Sequence, residues 1–284
     1  MSSASAYTSR DVAVGSYALH LSEGGDARGA PVMWLHGSGP GVTSLSNWEH
    51  TIAALPQYRN LCPDMLGFGD STHPDPPPNG MAAWTLLRAE TIVGLMDALG
   101  IEKAHFVGNS MGGMITMNVL KRWPERVDKF VLMASGGAPL PPGPGLMNVM
   151  TYYQDPTAER LRDMLAQFVY DKPRFADTLS RITSERLATT LREDVKRSHL
   201  TTFKMPDGPR EPMITEADLG KIDHEALVLH GREDQIVPLG ASYWLAERLP
   251  NAQLHVFPHT GHWIQIESAK RFEFLVDAHL RGTL

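Results

Sequence analysis

At 284 residues the chain is long enough to bury a sizeable core, and α/β chains of this length commonly form one core that carries an inserted subdomain. A formal charge of −6, with acidic and basic residues interspersed, leaves no basic stripe for nucleic acid and no polybasic patch for a membrane, so small molecules are the expected partners. The single cysteine, Cys62, excludes an internal disulfide framework and fits a reducing compartment. The first residues lack a basic segment followed by an apolar one, and no apolar run is long enough to span a bilayer. A cytoplasmic location is expected.

The chain opens with two short strands, Val12 to Val14 and Tyr17 to Leu21, about the Gly15-Ser16 turn, which should form an antiparallel edge. Val32 to Leu35 reads as the first fully buried strand, and it runs into His36-Gly-Ser-Gly-Pro-Gly41, a loop whose backbone amides can point at a ligand. Trp48 to Leu55 is expected to be helical and Asn60 to Asp64 to be a strand. Asp64 sits at a strand end but precedes the candidate nucleophile, which is the wrong order for a triad acid on this kind of turn. Met81 to Leu99 has helical spacing and stops at Gly100.

The next stretch, Ala104-His-Phe-Val-Gly-Asn-Ser-Met-Gly-Gly-Met-Ile115, is a buried strand, a tight turn and the start of a helix that closes near Trp123-Pro124. Its G-x-S-x-G elbow sets Ser110 at the apex, where a strained nucleophile is held out toward substrate. Lys129 to Met133 is another buried strand. After it the composition changes: Pro139 to Gly145 is a proline and glycine hinge, and Leu146 to about Phe203 reads as helices without a strand, a lid inserted into the sheet. Strands resume at Ala226 to Leu229 and Gln253 to Phe257, with helices at Leu239 to Leu249 and Ala269 to Leu280. The expected organisation is a core over 1–137 and 213–284, with a helical lid over 138–212. No internal repeat is present.

A serine hydroxyl needs a base to take its proton, and the base needs a third group to fix its tautomer. On this scaffold the order is Ser, Asp or Glu, His. Asp234 and His262 each follow a strand's C-terminal end, on the side of the sheet where Ser110 is expected. Glu233 is the rival acid, disfavoured by the loop pattern Gly-Arg-x-Asp-x-x-Val-Pro. His255, His259 and His262 form a conceivable metal cluster, but Pro258 interrupts the strand periodicity that would align them.

With these residues in view, the chain resembles the α/β-hydrolase superfamily over almost its whole length, an expected mostly parallel eight-stranded sheet with helices on both faces. Within it the chain is similar to the meta-cleavage product hydrolases, the carbon–carbon bond hydrolases of bacterial aromatic degradation. The likeness rests on His36-Gly-Ser-Gly-Pro-Gly with Ser46-Asn47-Trp48, on Pro63-Asp-Met-Leu-Gly-Phe-Gly69, on Gly108-Asn-Ser-Met-Gly-Gly113, and on Leu254-His-Val-Phe with Gly261-His-Trp263, Gln265 and Glu267.

The resemblance implies a 2-hydroxy-6-oxo-hexa-2,4-dienoate substrate, Ser110, His262 and Asp234 as catalytic residues, an oxyanion hole from the amides of Met111 and Ser38, and Gly39 as a substrate contact. It also implies substrate contacts from Asn109, Asn47 and Trp263 and an arginine on a lid helix, for which Arg181 is the best match and Arg192 the alternative. Met147, Met150, Tyr152, Tyr153, Phe168 and Phe175 are expected to shape the lid side of the pocket. No metal or organic cofactor is implied, and a homo-oligomer is. A carboxylesterase using the same triad is the main alternative, followed by a non-catalytic binding module and a cofactor-independent dioxygenase. The C6 substituent stays open.

Overall fold

A computed structural model describes residues 7–204 and 213–284 of the chain. One eight-stranded sheet, in the order β1-β2-β4-β3-β5-β6-β7-β8, organises everything else. Its first two strands, β1 (Tyr7–Val14) and β2 (Tyr17–Gly25), pair antiparallel as expected but run longer than their apolar cores. β2 also pairs antiparallel with β4 (Arg59–Pro63). From β4 onward all pairing is parallel, through β3 (Pro31–Leu35), β5 (Ala104–Asn109), β6 (Val127–Met133), β7 (Ala226–Gly231) and β8 (Ala252–Phe257).

The central strands are apolar at nearly every position because both faces of the sheet are covered. The period-2 alternation divides them between two layers. Met33, Leu35, Phe106, Phe130, Leu132 and Val228 pack on one face, under α2 (Met81–Ala98), α3 (Met111–Arg122) and α9 (Gly240–Arg248). Val32, Trp34, Val107, Val131, Met133 and Leu229 pack on the other, under α1 (Ser44–Ala54) and α11 (Ala269–Arg281). Trp34 sits between the two requirements of a buried indole: its ring packs on Trp48 at 5.1 Å while its N–H donates to Asn60 Oδ1 at 2.9 Å.

α1 begins four residues earlier than its apolar pattern indicates. Thr43 caps it: the Thr43 hydroxyl accepts from Ser46 N–H and the Ser46 hydroxyl accepts from Thr43 N–H, a reciprocal box built on serine in place of the usual Glu or Gln. Asp64 holds the same end from outside, accepting from Ser44 N–H at 2.6 Å and Asp70 N–H at 3.1 Å. Its work is structural.

Between β6 and β7 the described chain is entirely helical or irregular, with α4 (Pro144–Thr151), α5 (Ala158–Leu165), α6 (Ala176–Thr190), α7 (Glu193–Thr202) and α8 (Glu216–Leu219). The expected far boundary of this cap, residue 212, lies outside the described residues. The cap has its own apolar cluster, including Tyr152, Leu161, Phe168 and Ile182, and it meets the core through Ile236, Ala241 and Trp263.

Candidate active site

The elbow has the strain its sequence implies. Ser110 adopts φ 55° and ψ −110°, a region that L residues rarely occupy, at the junction of β5 and α3. The flanking glycines make this possible: a side chain on Gly108 would meet the Gly112 carbonyl carbon at 2.5 Å, and one on Gly112 would collide with the backbone of Leu35. The turn is locked by Ser110 N–H donating to Met133 O at 2.9 Å and by Gly136 N–H donating to Ser110 O at 3.3 Å.

Beyond the ends of β7 and β8 lie Asp234 and His262. His262 Nδ1 donates to Asp234 Oδ2 at 2.7 Å, with both side chains essentially sealed from solvent. The other oxygen, Asp234 Oδ1, accepts from the N–H groups of Ile236 (2.7 Å) and Val237 (3.0 Å). Burial pushes the Asp234 carboxyl up, but the imidazoles of His262 and His230, through charge and hydrogen bonding, more than offset it, and the group is held well below the usual carboxylate range. Asp234 is therefore an anion that orients His262. Neither Ser110 Oγ nor His262 Nε2 is bonded to another described residue, and such bonds commonly tighten only around substrate.

Glu233, the rival acid, turns outward, its carboxylate taken by Thr260 N–H at 3.0 Å and Arg232 at 2.9 Å. His230, which the sequence reading passed over, backs the acid: Nε2 donates to Val237 O at 3.0 Å and lies 3.4 Å from Asp234 Oδ2, while Nδ1 accepts from Ser242 Oγ at 2.7 Å. His255 packs against Phe257 and His259 against Tyr170, away from His262.

The loop after β3 reaches the elbow. A Cβ on Gly37 would lie 2.8 Å from Asn109 Oδ1 and 3.3 Å from Ser110 Cβ, so the loop passes against the elbow one residue before Ser38. A Cβ on Gly39 would lie 3.6 Å from Arg186 Nη1, and Met111 follows Ser110 directly. His36 fixes the loop: Nδ1 donates to Gly37 O at 2.7 Å and Nε2 accepts from Met65 N–H at 3.0 Å. Burial lowers the His36 imidazole to about 3, so it stays neutral in this role. Asn109 is buried and its Nδ2 donates to Met133 O at 3.2 Å.

Neither of the two cap arginines expected at the site is buried. Arg181 lies half exposed on α6 in an i,i+4 pair with Glu185 at 2.7 Å, at the rim of an outer cleft of about 140 Å³ that Asn47 and Gln265 also line. Arg192 is likewise at the surface, paired with Asp194 and Asp70. A buried guanidinium outside the cap, Arg88 on α2, is taken up by Leu66 O, Thr202 Oγ1 and Met111 Sδ. Among the described arginines of the cap the buried guanidinium is that of Arg186, 3 % exposed: Nη2 donates to Ser46 Oγ at 3.1 Å and the group lies 5.4 Å over the Trp263 ring. The reason is helical phase. Leu179, Ile182, Thr183, Arg186 and Thr190 share the inward face of α6, and position 181 falls off it.

Among the described residues Arg186 has no carboxylate partner, and its Nε has no hydrogen-bond partner. Burial lowers it to about 10, so it remains a cation at neutral pH. Asn47 Nδ2 and the Gln265 amide, a donor at Nε2 and an acceptor at Oε1, are also buried without a partner among the described residues, and both residues line the outer cleft beside Arg181. Trp263 is buried against Phe168 (4.8 Å). Of the cap aromatics, Phe168 also meets the His262 ring at 5.3 Å, Tyr152 and Tyr153 pack on each other, and Met147 is at the surface.

A parallel sheet with a strained serine elbow and an Asp–His pair at successive strand ends defines the alpha/beta hydrolase fold, and the profile of that fold family matches residues 30–269. The chain is 41 % identical to the 2-hydroxymuconate semialdehyde hydrolase of Pseudomonas sp. (strain CF600) across 87 % of its own length and 86 % of that protein's. It is 36 % identical to the 2-hydroxy-6-oxo-6-phenylhexa-2,4-dienoate hydrolase of Burkholderia cepacia, covering 94 % and 93 %. The solved structure of the 2-hydroxy-6-oxo-6-phenylhexa-2,4-dienoate hydrolase of Rhodococcus sp. strain RHA1 superposes with a TM-score of 0.92 at 36 % identity, covering 97 % of this chain and 99 % of that one. The chain belongs to the alpha/beta hydrolase family, in its branch of meta-cleavage product hydrolases.

Proposed function

We propose that the chain is a serine-dependent hydrolase that cleaves the C5–C6 bond of a 2-hydroxy-6-oxo-hexa-2,4-dienoate, giving 2-hydroxypenta-2,4-dienoate and a carboxylic acid. The observation that carries this reading beyond a generic esterase is Arg186, a buried cation with no counter-ion among the described residues, set against Ser46, Gly39 and Trp263. A neutral ester has no use for it. A dienoate carboxylate satisfies it and removes the cost of an isolated buried charge.

In the reaction, Arg186 and Asn47 hold the carboxylate and 2-oxygen while the dienol passes to its keto form by protonation at C5, with Asn109 and Trp263 walling the site. His262, oriented by Asp234, takes the proton of Ser110, whose oxygen attacks the C6 carbonyl. The N–H groups of Met111 and Ser38 meet the oxyanion, and each such donor is worth on the order of 3 kcal/mol. Collapse breaks C5–C6, and the departing dienolate takes the proton from His262 to leave as 2-hydroxypenta-2,4-dienoate. His262 then takes a proton from water, which attacks the acyl-enzyme, and returns it to Ser110 as the acid leaves.

The test is to mix the enzyme with yellow ring-fission products carrying hydrogen, alkyl or phenyl at C6 and to follow loss of the dienolate colour. Bleaching with appearance of the matching acid supports the reading, whereas turnover of simple esters without bleaching returns it to a carboxylesterase. Family likeness also favours a homo-oligomer and a cytoplasmic location, and sedimentation would measure the first. No described helix is long and apolar enough to cross a membrane.

A further inference from the structure

Glu267 closes the short helix α10 (Ile264–Glu267) that follows the candidate base, and the residue is 8 % exposed. None of the ion pairs among the described residues includes it, and it is committed to backbone instead. Oε2 accepts from Gly261 N–H at 2.6 Å, while Oε1 accepts from Tyr170 N–H at 2.7 Å and Asp171 N–H at 3.3 Å. Gly261 immediately precedes His262. Tyr170 and Asp171 belong to the cap, between α5 and α6.

The same seam is sewn a second time. Phe168 O accepts from both His262 N–H (2.8 Å) and Trp263 N–H (3.1 Å), and the Phe168 ring stands edge-on to the His262 imidazole. The backbones are so close that a Cβ on Gly261 would lie 2.7 Å from Phe168 O and 3.1 Å from both Glu267 Oε2 and Tyr170 N. Burial raises the Glu267 carboxyl, and the three N–H donors pull against that rise, as expected of a carboxylate bound for its acceptor capacity.

We propose that Glu267 is a positioning residue: by binding the cap segment Phe168–Asp171 and the Gly261-His262 loop with one carboxylate, it makes the seating of the cap set the angle at which His262 faces Ser110. The inference rests on the triad named under the proposed function. It explains why a carboxylate is needed there. Two acceptor oxygens on one rigid plane serve three N–H donors from two chain segments, and an amide in its place must turn a donor toward one of them.

The experiment uses Glu267→Gln, which keeps the volume and removes one acceptor end, and Gly261→Ala, which pries the same seam from the opposite side. Labelling of Ser110 by a fluorophosphonate reads the activation of the serine without depending on the dienoate. Small misplacements of a base cost on the order of 100-fold, so the expected result for both variants is a 10- to 100-fold slower labelling and a matching fall in kcat, with KM within about threefold of wild type. A purely structural role would lower Tm and leave the labelling rate of the folded fraction within twofold of wild type, and that result overturns the proposal. Should Glu267→Gln not fold, Gly261→Ala decides alone by the same criterion. If wild type labels but does not bleach dienoates, the substrate reading fails and this one stands. If wild type bleaches dienoates and both variants label normally, this one fails and the substrate reading stands.

Discussion

At the scale of single residues, two arginines on one helix separate the readings. Arg186→Ala leaves a dienoate carboxylate without its buried partner, a loss of roughly 2–5 kcal/mol, so kcat/KM for the dienoate should fall at least about 30-fold while hydrolysis of a neutral ester changes far less. Arg181→Ala removes only a surface pair with Glu185 and should stay within about twofold of wild type, because exposed pairs are worth under about 1 kcal/mol. Steady-state kinetics on the two substrate types decide both. Asp234→Asn should lower kcat by about 10⁴ through the wrong His262 tautomer, with circular dichroism unchanged. The Asp234 carboxyl is held below its ordinary value, so its stabilisation is present above about pH 4 and is lost as pH falls below it. An acid limb of kcat/KM near neutrality therefore belongs to another group.

At the scale of elements, α1 carries Asn47 and depends on its cap. Thr43→Ala should cost about 1 kcal/mol, read as a lower urea midpoint, with a rise in KM where the helix end frays. Buried histidines tie other elements to pH. His36, His199 and His279 are lowered by burial, to about 3, 4 and 4, while in the unfolded chain they titrate near 6.5. Between those values the unfolded state binds more protons, so stability declines as pH drops. Each contributes a slope of at most about 1.4 kcal/mol per pH unit in that window. Urea melts at pH 7 and pH 5 should show the fall, and His199→Gln should reduce its slope by about one proton. His199 links two cap helices, its Nε2 donating to Val149 O at 3.0 Å, so this acid sensitivity includes the cap.

At the scale of the whole molecule, the apolar interior comes in separate bodies: two layers against the sheet and a third within the cap. Cooperative units of this kind open independently, with the smaller one opening at lower free energy. Hydrogen exchange should therefore release amides of α4 to α7 through a sub-global opening while β5, β6 and β7 exchange only on global unfolding. The seam at Phe168, Gly261 and Glu267 should stand out as the slowest part of the cap.

Much of the site was legible in the chain because local constraints write themselves into local sequence. The elbow needs glycine at 108 and 112, buried parallel strands need unbroken apolar runs, and the order Ser110, Asp234, His262 follows from which strand ends face the ligand. Other features follow from packing between distant segments. The choice of Arg186 over Arg181 depends on which face of α6 turns inward; the phase of Leu179, Ile182 and Thr190 hints at it, but only the contact with Ser46 and Trp263 decides it. The same holds for Glu267 across the cap seam, whose bonds join residues far apart in the chain. Local backbone geometry was determined by the sequence alone, since it is a property of neighbours along the chain. Which charge meets which was left to the tertiary structure, because a side chain's partners are set by where the helices come to rest.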